Sequence, residues 1–175
     1  MLHYDTGVNA ALDPAAWHDM FTAAAAASAG LLGLLFVAMS MHLVEIERSP
    51  TLRLRGRVNL QALAAILSVS LAGLIPGQGR EWLGIELIAI VLVYFMLIVV
   101  GARRTSREVN GLPADVRFRL TLQNALLLFQ VASGVSLILG SGPGLYLEAP
   151  LLLFAIPVVI TFNSWNIVFA PELRR

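Results

Sequence analysis

The sequence predicts an all-α protein, a five-helix transmembrane bundle with its N-terminus outside and its C-terminus in the cytoplasm. Three observations predict it. First, 58% of the 175 residues are hydrophobic and only 13% are charged, whereas a soluble domain carries roughly a quarter charged residues. Second, the chain contains five apolar runs, each long enough to supply the ~20 residues with which a helix crosses hydrocarbon. Third, eleven of the twelve Arg residues fall in alternate connections or in the C-terminal tail, on one side of the membrane.

The runs lie at about 21–44, 58–75, 82–101, 120–139 and 150–170, in one integral membrane domain covering 1–175. Over these lengths none shows the period-two alternation of a barrel strand. Asp13-Pro14 predicts an N-cap followed by proline at the first helical position, so the first helix begins ahead of the membrane. Asp5, Asp13 and Asp19 precede that run with no Arg or Lys. A secretory signal opens on basic residues, so the run is expected to stay in the mature protein. Pro76-Gly77-Gln78-Gly79 predicts a tight turn between the second and third spans. Gly140-Ser141-Gly142-Pro143-Gly144 separates the fourth from the fifth, and Pro150 stands where a helix tolerates proline. Residues 45–57 and 102–119 read as polar loops.

Those loops carry the Arg residues, Arg48, Arg53, Arg55 and Arg57 in the first and Arg103, Arg104, Arg107, Arg117 and Arg119 in the second, and Arg174-Arg175 ends the chain. Only Arg80 belongs to the other side. Short basic loops stay cytoplasmic, which directs the bundle and predicts a multi-pass inner-membrane protein.

With direction fixed, the polar residues sort by depth. Ser40, His42, Asn59, Gln61, Gln123, Asn124, Asn163, Ser164 and Asn166 form a layer at the cytoplasmic end. It reads as hydrogen-bonding glue between helices or as a polar vestibule. Deeper lie Gln130, Ser133, Ser136, Ser68 and Ser70, together with Pro157, which frees a carbonyl in mid-span. Glu86 lies about one turn inside the outer surface. It reads either as an acid favoured near a helix N-terminus or, with Gln130, Ser133 and Ser136, as an intramembrane proton or cation site. Small residues recur at spacing four in three spans: Ala26/Gly30 with Ala29/Gly33, Ala64/Ser68/Ala72, and Ala132/Ser136/Gly140. Such faces let helices approach closely, within one bundle or between copies. The third span is almost unbroken in large apolar residues and predicts a wide lipid-facing surface.

The chain has no Cys, so disulfides, thiolate metal sites and cysteine nucleophiles are excluded. Of the three His residues, His3, His18 and His42, His18 and His42 sit at opposite ends of the first helix, so one chain is not expected to build a paired haem site. No HExxH, GxSxG, P-loop or paired-carboxylate motif occurs. No catalytic residue, metal or cofactor is therefore expected. A net charge of +1 gives no basic face for nucleic acid.

Several stretches carry a resemblance: Gly30-Leu31-Leu32-Gly33-Leu34-Leu35-Phe36-Val37-Ala38, Pro50 to Arg57, Leu74-Ile75-Pro76-Gly77-Gln78, Leu83-Gly84-Ile85-Glu86-Leu87 and Phe162-Asn163-Ser164-Trp165-Asn166. The chain resembles a functionally uncharacterised family of short bacterial polytopic membrane proteins, some of whose members are labelled modulators of a membrane-bound AAA protease. The resemblance implies a regulatory partner.

The leading expectation is a non-enzymatic membrane protein that works by association, as a homo-oligomer or as an accessory or regulatory subunit of a membrane complex, with lipid and itself or another membrane protein as partners. The alternative is a small ion or proton channel or transporter whose polar path runs by Glu86, Gln130 and Pro157. A third reading sets the basic loops against anionic headgroups.

Overall fold

The structure, a computed structural model, describes residues 10–150, which contain helices and turns and no strand. Asp13 caps a 3-10 turn at Pro14–Trp17, its carboxylate accepting a hydrogen bond from the Ala15 amide at 3.0 Å. Proline sits at the opening of this turn, where its missing N–H costs nothing. Helix α1 (His18–Met41) follows directly. A break at His42 separates it from the short α2 (Leu43–Arg48). Ser49 then caps α3 (Pro50–Gly73), accepting from the Leu52 amide at 3.4 Å. The turn at Pro76–Gly79 leads into α4 (Arg80–Glu108). Asn110 and Gly111, both at positive φ, turn the chain into α5 (Ala114–Leu139). Gly140 ends α5 in the left-handed conformation that glycine adopts without a Cβ clash. A second 3-10 turn, Gly144–Leu147, and one helical turn, Glu148–Pro150, complete the described chain.

The two polar loops expected at 45–57 and 102–119 are mostly helical. Hydropathy marks where the hydrocarbon ends, but a helix stops only at a capping or breaking residue. Arg and Glu are good helix formers, so α4 runs on through Arg103, Arg104 and Arg107 until Asn110-Gly111. Ser49-Pro50 likewise starts α3 well before its apolar part.

Three helical stretches are long and apolar enough to cross a membrane: Pro14–Met41, Arg80–Glu108 and Val116–Leu139. They cover the first, third and fourth expected spans. The second, 58–75, falls in α3, which is not among the three. Its first half carries Arg53, Arg55, Arg57, Asn59 and Gln61, and it ends at Gly73, short of Leu74 and Ile75. The fifth span, with Pro157, lies outside the described residues.

Packing follows chain order. The Phe21 ring of α1 lies on Gly73 of α3, and the Met39 thioether lies on Gly56. The two helices therefore run antiparallel. Helix α3 meets α4 where Ser68 Oγ and Tyr94 Oη are 3.2 Å apart, and again where Leu54 and Arg57 cover Gly101. Helices α4 and α5 cross backbone to backbone at Gly84 and Gly134. A large apolar core, including Phe21, Val69, Leu83, Leu87, Leu137 and Leu145, fills the end of the bundle that holds Gly73 and Gly140. A smaller one, Leu54, Val58, Ile98, Val116 and Leu120, fills the other end. Every described Arg except Arg80 belongs to the second end, and the Arg80 guanidinium lies against Gly140 at the first. There the cation meets the negative end of the α5 dipole.

The outward faces agree with a lipid surroundings. Trp82, Ile85, Leu92, Val93, Phe95, Met96 and Leu97 are exposed along α4, as expected of the third span.

Candidate functional site

A buried polar cluster is built on α5 and the turn that returns to it. Gln130, Ser133 and Ser136 recur at spacing three, which keeps them on one side of α5, and all three are buried. The glycine-rich segment after Leu139 folds the chain back over this side. Gly140, Gly142 and Gly144 all take positive φ, so the reversal is tight. Ser136 fastens it: its hydroxyl accepts from the Gly144 amide at 2.9 Å and donates to the Ser141 carbonyl at 2.5 Å. The return brings Glu148 down beside Ser133, leaving the glutamate 1% exposed.

Ser136 is therefore satisfied, and its neighbours are not. Gln130 Nε2, Ser133 Oγ and Glu148 Oε1 are buried without a hydrogen-bond partner. Ser133 lies close enough to Glu148 to favour its charged form without completing a bond. Burial is the larger effect and pushes the Glu148 carboxyl up from an ordinary 4.5 to about 7, against the smaller downward pull of Ser133. Taking a carboxylate out of water without a cation disfavours the charge.

Of the residues expected to form an intramembrane site, the structure thus brings Gln130, Ser133 and Ser136 together and leaves Glu86 elsewhere. Glu86 is half-buried and accepts a hydrogen bond from Gln78 Nε2 at 2.6 Å, across the turn before α4. It stands two residues from Gly84, which faces α5, and so ~200° round the helix. The acid of the cluster is Glu148, which sequence reasoning missed. It falls two residues outside the last apolar run and reads as a loop residue ahead of Pro150. The signal that could have found it is the glycine density before it, which allows the chain to fold back on α5.

The residues of the expected cytoplasmic-end layer stand at the arginine-rich end and toward the middle. His42 forms the break after α1: its amide donates to Met39 and its carbonyl accepts from Ile46. Asn59 is buried in α3. Gln61 Oε1 and Asn124 Oδ1 are buried without a partner, so the amides are not closed into one network at these atoms. Asn163 and Asn166 lie outside the described residues.

A second feature is an open groove of about 560 Å³ between α1 and α3. It is lined by Ala29, Leu32, Gly33 and Phe36 of α1 and by Leu60, Gln61 and Ala64 of α3. A Cβ added to Gly30 or Gly33 would meet nothing within 4 Å. Ala26, Ala29, Gly30 and Gly33 are all exposed, on the side of α1 away from buried Ser28. Within the described residues, the small-residue face of the first span is unoccupied. The corresponding face of α3 is partly used, since Ala72 is buried and Ser68 meets Tyr94.

No group of three or more His, Asp or Glu side chains gathers among the described residues. No family model, curated protein or solved structure matches the chain.

Proposed function

We propose that this chain is a non-enzymatic, five-span protein of the bacterial cytoplasmic membrane, N-terminus outside, that acts by helix association through its first span. The observation that carries the reading is the α1 face left bare among the described residues: Gly30 and Gly33 have open space where a Cβ would stand, and Ala26 and Ala29 are exposed beside them. In lipid, small residues give no advantage over Leu unless another helix backbone comes close. The segregation of Arg at one end supports the direction. The occupant we assign to the groove is α1 of a second copy, whose own Ala/Gly face is complementary to it; a larger membrane complex is the other form the same reading takes.

Absence of native Cys makes the test direct. Gly33→Cys or Ala29→Cys is expected to form a disulfide-linked dimer in native membranes, and Met96→Cys, on the exposed face of α4, is not. Absence of that dimer together with a monomer by native mass measurement in mild detergent overturns the homodimer; co-purification of another membrane protein crosslinked at Gly33 transfers the role to a complex subunit.

The polar residues argue against the channel alternative. Glu86 is engaged with Gln78, while Gln130 belongs to a separate, capped cluster.

A further inference from the structure

Glu148 poses a problem of charge. It is 1% exposed, Ser133 Oγ beside it is itself unpaired, and so is Gln130 Nε2 one turn further along the same side of α5. Among the described residues no cation is buried with it. Helix α5 offers it only Gln130, Ser133 and Ser136. The titratable groups on the other neighbouring elements are Asp13, His18 and Asp19 near the start of α1, Arg80 and Glu81 opening α4, and Tyr146 on the turn itself; all are exposed. The Arg80 guanidinium lies against Gly140, at the C-terminal end of α5. A carboxylate left charged there would lack both a counter-ion and hydration, and such a group takes up a proton instead.

What closes the site is also visible. Residues 10–12 lie directly on the turn before Glu148: Gly144, at φ 49°, packs so tightly against the Ala11 carbonyl and Leu12 that no Cβ fits. The Trp17 indole donates to the Ala10 carbonyl at 2.8 Å and meets the Tyr146 ring edge-on at 5.1 Å. Ala11, Leu12 and Leu145 are buried together beside this contact. The N-terminal arm is thus a cover on the segment that holds the acid.

We propose that Glu148, with Ser133 and Gln130, forms a proton-binding site at this end of the bundle, and that the bound proton keeps the arm of residues 10–12 closed over the Gly144–Leu147 turn. The proton comes from the adjacent water. When Glu148 ionises, the carboxylate regains hydration only if the turn lifts from α5 or water enters beneath it, and either displaces the arm that rests on Gly144. This site stands independently of the association of α1.

The test uses the full chain in phosphatidylcholine nanodiscs. With carboxyl-¹³C glutamate, one resonance is expected to titrate near neutral pH and to vanish in Glu148→Gln; titration of every glutamate in the ordinary range overturns the proton site. For the arm, Leu12→Cys is labelled with a membrane-impermeant maleimide, and the rate is divided by that of the same cysteine in the Glu148→Gln background. The ratio is expected to rise about tenfold per pH unit below the midpoint, following the ionised fraction, and a flat ratio overturns the closure. Ser133→Ala guards against a Glu148→Gln chain that fails to fold. Losing the hydroxyl that favours the charged form moves the midpoint upward, and a midpoint unmoved or lowered removes Ser133 from the site.

Discussion

The carbonyls of Gly84 and Gly134 each occupy the place where the other residue's side chain would stand: a Cβ on Gly84 would fall 2.6 Å from the Gly134 oxygen, and one on Gly134 would fall 2.8 Å from the Gly84 oxygen. The contact is backbone on backbone, so no side chain can rotate away to relieve an added methyl. Gly84→Ala or Gly134→Ala is therefore expected to push α4 from α5 and to cost about 1–3 kcal/mol, the usual range for overpacking. Gly30→Ala, in open space, is the matched control and should leave the monomer unharmed, since alanine is the better helix former. Thermal unfolding in detergent, followed by circular dichroism, compares them. Equal midpoints for Gly84→Ala and Gly30→Ala would contradict the close crossing.

Ser136 offers a second, sharper test of the turn. Its hydroxyl is the acceptor for the buried Gly144 amide and the donor to Ser141. Ser136→Ala leaves both backbone groups without that partner, and an orphaned buried group costs about 1–3 kcal/mol. The expected signs are a lower unfolding temperature and faster hydrogen exchange at the Gly144 amide. Unchanged exchange there would show that the latch does not hold the turn.

How much of this was legible in the sequence divides along physical lines. Apolar runs report on the membrane directly, so the first, third and fourth spans and the exposed face of α4 could be read. Asp13-Pro14 and the two glycine-rich turns could be read because cap and turn chemistry is local. Helix ends inside the polar stretches could not, because Arg104 or Arg107 is at home both in a loop and in the last turn of a helix. The Gly84–Gly134 crossing escaped a search for small residues spaced along one span, since each helix contributes a single glycine to it. The candidate site was half legible: Gln130, Ser133 and Ser136 are marked by polarity within an apolar run, but the acid that joins them is brought from outside the run by a fold-back that no periodicity announces. Glu86 drew attention by its depth, and its partner Gln78 lay in a turn.

For Glu86 the expected effect is small. The carboxylate is half-buried and bonded to one side-chain amide, and a hydrogen bond to a charged group typically contributes ~1.5–3 kcal/mol when shielded and less when wet. Glu86→Gln keeps the shape and a carbonyl acceptor, so a loss below about 1 kcal/mol is expected, with proton and sodium flux in proteoliposomes equal to wild type. A flux change in this variant would restore the polar-path reading.

The last prediction concerns how stability varies with pH, and its sign is unusual. Most carboxylates are held below their ordinary range by folding and make proteins less stable in acid. Burial holds Glu148 above it, near 7 against 4.5, so the folded chain keeps a proton that the unfolded chain releases. Between these values the folded state binds more protons, and stability falls as pH rises. The contribution is fully present below about pH 4.5 and is lost on passing through about pH 7. The interval corresponds to roughly 3 kcal/mol at 1.36 kcal/mol per pH unit. Glu148→Gln carries no titratable group and keeps the size of the side chain, so its unfolding free energy should lack this slope. The variant should match wild type near pH 5 and exceed it near pH 8, by an amount approaching that figure. Urea or thermal unfolding in detergent at the two pH values measures the difference. If wild type instead gains stability relative to Glu148→Gln between pH 5 and 8, the carboxylate is charged in the folded protein and the burial of a neutral acid beside Ser133 is wrong.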